Sequence, residues 1–224
     1  MQCKSTRDPA SVVSFRKALF TGQAPDGGLY MPVKFPEFNR DDWHDLAAAD
    51  YRELVFRVLN PWLNDEMPSA DLQKILEHAY TFAPGLQQLN NHTSILELFH
   101  GPTLSFKDFG AQFMAKSMGY FMQHENRELT ILVATSGDTG SAVAHAYHNV
   151  EGIRIVLLYP SGQVSKLQEK QFTTLGDNIV ALEVDGTFDD CQALVKTAFR
   201  DRDLIAKKSL SSANSINIGR LLPQ

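Results

Sequence analysis

Lys107 is the residue whose type and position most need a chemical reason. The hydropathy pattern predicts a helix over residues 106–122. At about 100° per residue, Ala111, Met114, Met118, Phe121 and Met122 fall within about 60° of Lys107, whereas Asp108, Gln112, Lys116 and Gln123 gather about 100–180° away. The amine therefore starts from the middle of the apolar stripe, and Lys116 lies on the polar side. Two readings are open. In the first turn of the helix, Lys107 can snorkel past the helix end into water. Alternatively it is a desolvated amine, neutral enough to condense with a carbonyl. A cation at a helix N-terminus opposes the macrodipole, so its placement asks for an explanation.

The second chemical signal is Thr135-Ser136-Gly137-Asp138-Thr139-Gly140, lying between a predicted strand and a predicted helix. Glycines allow a tight turn, and loop amides together with a helix N-terminus can hold an anion. An ordinary small polar turn is the competing reading. Asp138 is better suited to capping the helix or accepting a hydrogen bond than to touching an anion. The loop has neither a Walker A lysine nor a GxGxxG sequence. Ser136 lacks the GxSxG frame of a nucleophile elbow. His145 and His148 stand three apart without an HExxH motif, which reads as surface or packing rather than metal ligation. His100, before Gly101-Pro102, reads first as a turn residue and second as a site residue. Asp189-Asp190 reads as a capped helix start.

The elements that must position these residues follow from periodicity. The first 90 or so residues read as mostly helical: a cap at Asp8-Pro9, a stop at Gly22, a turn at Asp26-Gly27-Gly28, a broken helical region over 41–63 and a further helix from Pro68-Ser69. Pro84-Gly85 is the candidate boundary, giving a helical region over 1–90 and an α/β region over 91–224. From residue 95 onward, predicted strands at 95–99, 129–135, 153–159 and 179–184 alternate with helices over 106–122, from 141, over 165–175 and over 189–200. The later strands recur about every 25 residues, enough for a strand, a turn and a helix, and their continuous apolar runs imply a sheet covered on both faces. The expected fold class is α/β, a doubly wound parallel sheet with right-handed crossovers.

Composition narrows the classes. Lys and Arg number 21 against 26 Asp and Glu, a net charge of −5, which supplies no basic surface for non-specific nucleic-acid binding. A hydrophobic share of 43% with 21% charged residues is that of a globular chain. Cys3 and Cys191 form no CxxC pair, which excludes a disulfide scaffold and a structural zinc site and fits a reducing compartment. The N-terminus lacks the apolar core of a secretory signal, and no stretch approaches a membrane span. A cytoplasmic protein is expected, with neither nucleic acid nor membrane as partner. The last residues, Asn214 to Gln224, read as a helix start with an apolar face, so a truncated polypeptide is expected.

The motifs together resemble a family. Leu98-Phe99-His100-Gly101-Pro102-Thr103-Leu104-Ser105-Phe106-Lys107-Asp108-Phe109 resembles the lysine motif of threonine synthases, and Ala134 to Gly140 is similar to their substrate loop. Leu167-Gln168-Glu169-Lys170-Gln171, the run Asp185 to Gln192, Ser212-Ala213-Asn214-Ser215-Ile216-Asn217 and the turn Asp26 to Tyr30 match in the same order, over residues 12–222. The resemblance implies a fold-type II enzyme dependent on pyridoxal 5'-phosphate, converting O-phospho-L-homoserine and water to L-threonine and phosphate. It implies that Lys107 is both the catalytic lysine and the one that binds the cofactor. It further implies that Ser136, Gly137, Asp138 and Thr139 receive the substrate carboxylate. Asn214 and Asn217 belong to a family motif, with a helix cap as their plainest role.

Two departures stand out. Gln163 occupies a position where the family commonly has lysine, and Lys166 one where proline is usual, so any basic contact there to substrate phosphate is moved or lost. The family's glycine-rich loop for the cofactor phosphate and its pyridine-nitrogen partner lie in a C-terminal half that these 224 residues do not include. Alternative readings are a non-catalytic fragment that exposes apolar surface and aggregates, and a phospho-lyase that stops at elimination to give a 2-oxo acid. No metal is expected.

Overall fold

The computed structural model describes residues 1–123, 125 and 127–224. Its N-terminal part mixes strands and helices: β1 (Gln2–Ser5), β2 (Val12–Ser14), α1 (Phe15–Thr21), β3 (Tyr30–Pro32), α2 (Arg40–Ala48), α3 (Tyr51–Leu63) and α4 (Ser69–Ala79). The three strands form an antiparallel sheet in the order β2-β1-β3. The region is mostly helical, as expected, and carries in addition this small sheet, which the sequence did not signal. Asp8-Pro9, read as a helix cap, lies in the connection between β1 and β2. Each of these strands is only three or four residues long, too short to show a period-2 pattern. Helix signals did hold where capping chemistry is explicit. Asn39 forms a capping box with Asp42 at the start of α2, Asp50 accepts from Glu53 N at 3.0 Å at the start of α3, and α1 stops at Gly22, whose φ is 75°.

A hairpin follows, β4 (Gly85–Asn90) with β5 (Thr93–Glu97). The strand expected at 95–99 therefore pairs locally and antiparallel instead of joining the parallel sheet. The α/β part then runs α5 (Lys107–Met122), β6 (Leu129–Ala134), α6 (Asp138–Tyr147), β7 (Ile153–Pro160), α7 (Lys166–Thr173), β8 (Ile179–Val184), α8 (Phe188–Ala198), α9 (Arg202–Lys207), β9 (Ser209–Ser211) and α10 (Ile218–Leu221). The four strands pair in parallel in the order β8-β7-β6-β9. The parallel α/β expectation stands. Helix α6 begins three residues earlier than expected, at Asp138 itself.

The strand order fixes where a ligand can sit. From β6 the chain steps to β7 and β8, then returns to place β9 on the other side of β6. With right-handed crossovers, reversing the direction of travel moves the connecting helix to the opposite sheet face. Between β6 and β9 the loops leaving the carboxyl ends diverge and open a crevice. The loops involved are residues 135–137 after β6 and 212–217 after β9.

Helix α5 lies deeper than its wheel implied. Ala111, Met114, Met118, Phe121 and Met122 are buried as expected, but so are Asp108 and Gln112 from the side read as solvated, and Lys116 is half-buried with burial lowering its pKa. Packing on more than one side of a helix erases the amphipathic signal.

Candidate active site

Lys107 is the first residue of α5, and the segment before it is built to hold it there. Asp108, fully buried, accepts from Thr103 N at 2.9 Å and from Thr103 Oγ1 at 2.7 Å. A Cβ on Gly101 would lie 2.5 Å from the Asp108 carboxylate, so only glycine lets the loop wrap the acid this closely. Leu104 is held at φ 60°, a left-handed conformation that L-residues adopt at a cost of about 1–3 kcal/mol. Ser105 Oγ accepts from Lys107 N at 3.3 Å. Sequence reading missed Thr103 and Asp108; a buried acid one position after the lysine gives no signal that distinguishes it from a first-turn helix acid.

The Lys107 amine is neither dry nor alone. Its side chain retains 23% of its exposure, and Nζ donates to Asp138 Oδ2 at 3.0 Å, with the Phe106 ring centroid 5.5 Å away. This corrects the reading of an isolated amine in apolar surroundings. The stem lies among apolar neighbours of α5 while the head reaches the start of α6, where a carboxylate meets it. The pair is partly exposed, so the amine can be reached by a carbonyl compound from solvent.

The loop after β6 is organised by a hydroxyl. Buried Thr135 Oγ1 accepts from Gly137 N at 3.0 Å and from Gly140 N at 2.7 Å. Gly137 has φ 142°, where a side chain would be strained. With the turn closed by Thr135, the Asp138 carboxylate faces outward, taking Lys107 on Oδ2 and a short contact from Gln168 Nε2 on Oδ1. Of the four loop residues proposed for substrate, Asp138 is therefore brought to Lys107, Thr139 is half-buried and lines the crevice, Gly137 is buried, and Ser136 stands exposed at the loop tip.

Beside β6, toward β9, a cleft of about 720 Å³ is lined by Thr139, Asn214, Ser215, Lys196, Arg200 and Arg220, among others, and among the described residues by no Asp or Glu. Arg220 is 1% exposed; its Nη1 donates to Ala213 O at 3.0 Å and its Nε has no partner. A guanidinium buried with one carbonyl and no carboxylate is costly unless an anion joins it. Asn217 caps α10, accepting from Gly219 N at 2.8 Å, and donates Nδ2 to Leu19 O at 2.8 Å, while Asn214 Oδ1 accepts from Ile216 N at 3.3 Å. Arg220 was not singled out from sequence, because an arginine in a short terminal helix looks like any surface cation. The remaining candidates stay apart from the cleft. His100 pairs with Glu97 at 2.8 Å and His148 with Asp177 at 3.0 Å; Gln163 donates to Gly186 O at 3.1 Å, and Lys166 is exposed. Among the described residues no cluster of His, Cys, Asp or Glu could hold a metal, and no helix is long and apolar enough to cross a membrane.

Residues 81–218, which carry Lys107, the loop after β6 and most of the cleft, match the family described as "Pyridoxal-phosphate dependent enzyme". The chain belongs to that family. Residues 2–80 match "Threonine synthase N terminus". The chain is 44% identical to the threonine synthase of Serratia marcescens and 42% identical to that of Escherichia coli (strain K12), in each case over 100% of this chain and 52% of the relative. A crystal structure of PLP-bound threonine synthase from Brucella melitensis superimposes with a TM-score of 0.94 at 41% identity, covering 100% of this chain and 49% of that one. The yeast threonine synthase structure gives 0.90 at 35% identity over 99% of this chain and 47% of that one. The chain spans about half the length of the curated relatives it matches.

Proposed function

We propose that this chain is part of a threonine synthase, which converts O-phospho-L-homoserine and water to L-threonine and phosphate with pyridoxal 5'-phosphate as cofactor. The observation carrying the proposal is one accessible lysine amine paired with the acid that opens α6, at the carboxyl end of β6, in a fold whose switch in strand order opens a cationic cleft. The residues present fit the cofactor, since Lys107 Nζ is reachable and is held on a helix, not a flexible loop. When bound, the cofactor supplies an electron sink for negative charge that develops on substrate carbons.

The chain's own residues do the rest. Lys107 Nζ would hold the cofactor at its aldehyde and would carry protons to and from substrate carbons. Asp138 is the charge partner that holds that amine in place. Ser136 to Thr139 offer the substrate carboxylate a loop at the start of α6. The phosphate-bearing end suits the cleft, whose lining includes Lys196, Arg200, Asn214 and Ser215. Reduction of the cofactor-loaded protein with borohydride, followed by peptide mass mapping, tests the assignment. The tag is expected on Lys107; a tag on another lysine overturns it.

A second reading concerns the 224 residues alone. Leu86, Leu89, Leu96 and Phe99 are more than half exposed on and just after the β4–β5 hairpin, with Leu86 and Leu96 paired directly across it, exposed apolar side chains of the kind that mark a contact face. By itself the chain is then expected to give no turnover, and release of phosphate from O-phospho-L-homoserine by this chain alone would overturn that reading.

A further inference from the structure

We propose that Gln168 is the positioning residue of the Lys107–Asp138 pair, holding one carboxylate oxygen so that the other stays against the amine. Its catalytic meaning rests on the reading of Lys107 as the cofactor lysine. Asp138 is 46% exposed, and the torsion that turns its carboxylate is soft, so a single partner would leave it free to swing. Two partners on its two oxygens fix the plane. Oδ2 takes Lys107 Nζ at 3.0 Å, and Oδ1 accepts from Gln168 Nε2.

The Gln168 amide is itself oriented. Its Oε1 accepts from Ser165 Oγ at 3.1 Å, which leaves the NH2 end for Asp138; the reversed amide would set oxygen against oxygen. Its backbone carbonyl accepts from Ser141 Oγ at 3.3 Å, tying α7 to α6. A Cβ on Gly137 would lie 2.3 Å from Gln168 Oε1, and Gly137 also has φ 142°. Three successive helices, α5, α6 and α7, thus each supply one member of a chain of polar contacts that ends on the amine. An ammonium held against a carboxylate is a poor nucleophile, since attack on a carbonyl needs the nitrogen lone pair. Gln168 therefore acts on how ready Lys107 is to react, without touching it.

The test measures the rate of reductive methylation of Lys107 in the full chain, by formaldehyde and cyanoborohydride at fixed, mildly alkaline pH. Peptide mass mapping reads the product, with exposed Lys17 and Lys207 as references. Gln168→Ala frees Asp138 to leave the amine and is expected to speed Lys107 about threefold relative to the references. Gln168→Glu keeps the shape, replaces the donor with an acceptor and adds a negative charge, so it slows Lys107 about threefold. Asp138→Asn speeds it about tenfold, and adding Gln168→Ala to that variant gives no further gain. A side chain that merely packed would not produce opposite signs from the two Gln168 variants. Unchanged rates, same-sign changes or additive effects overturn the proposal, and Gln168→Glu carries the test if Gln168→Ala fails to fold. The site of the borohydride tag separates the two readings. A tag elsewhere with the sign pattern intact overturns the cofactor assignment alone; a tag on Lys107 without the pattern overturns the role of Gln168 alone.

Discussion

Two glycine-rich turns in this molecule carry an aspartate, and they use it in opposite ways. At Asp26-Gly27-Gly28 the carboxylate closes its own turn, accepting from Gly28 N at 2.8 Å and from Ser5 Oγ at 2.8 Å on both oxygens. At Gly137-Asp138-Thr139-Gly140 a threonine hydroxyl closes the turn, and the carboxylate is left for Lys107 and Gln168 on other helices. In a string of letters the two turns look alike. The difference is that the first acid is needed by its loop and the second is not. An acid that its own turn does not require is available for chemistry.

The largest effect expected from this contrast is at the amine that Asp138 faces. In the protein extended to the length of its relatives, Lys107→Ala is expected to lower phosphate release by about a thousandfold or more, the range of a lost acid/base group. Asp26→Asn, at the other turn, is expected to act on thermal stability with kcat intact. Near-normal turnover in the Lys107→Ala protein, measured by phosphate release, would break the comparison at its functional end.

Next in size is Thr135→Val, an isosteric change that removes the hydroxyl holding Gly137 N and Gly140 N. Two buried N–H groups are then unpaired at about 1–3 kcal/mol each, so urea unfolding should show a loss of about 2–5 kcal/mol. Asp138 is not expected to take over, because its oxygens already have partners. A loss below about 0.5 kcal/mol would mean that the turn closes without Thr135 and that the two loops are not built differently.

How much of this was legible beforehand depended on the range of the interactions. The parallel strands β6 and β7 are readable because strands covered on both faces are written as continuous apolar runs, the edge strand β8 carries a shorter apolar run with exposed residues in it, and Lys107 stands out because a cation in an apolar stripe breaks a local rule. The sheet β2-β1-β3 was not readable, since its strands are short and pair across intervals filled by α1 and loops. Asp138 was rightly taken as a hydrogen-bond acceptor, but its partners come from α5 and α7, about 30 residues away in either direction. Arg220 is the clearest omission. Its meaning lies in what does not surround it, and the absence of a carboxylate is a property of three dimensions, not of sequence.

The smallest expected effect sharpens the structural end of the comparison. The Gly28 N–H, and after it the Ser5 hydroxyl, hold the Asp26 carboxyl below its ordinary value of 3.8. A carboxyl whose folded value is depressed adds stability that is fully present above its unfolded value and is lost as pH falls through the folded one. Ser5→Ala removes the second of these donors. The melting temperature should therefore fall by about 2–4 °C near neutral pH, the shift that one ordinary hydrogen bond gives in a chain of this size. Below the ordinary carboxyl range the difference between wild type and Ser5→Ala should shrink, because Asp26 is then protonated in both. A difference that stays constant across the acid range would mean that Ser5 packs at this turn without supporting its charge, and the turn would then resemble the one at Asp138 more closely than its hydrogen bonds imply.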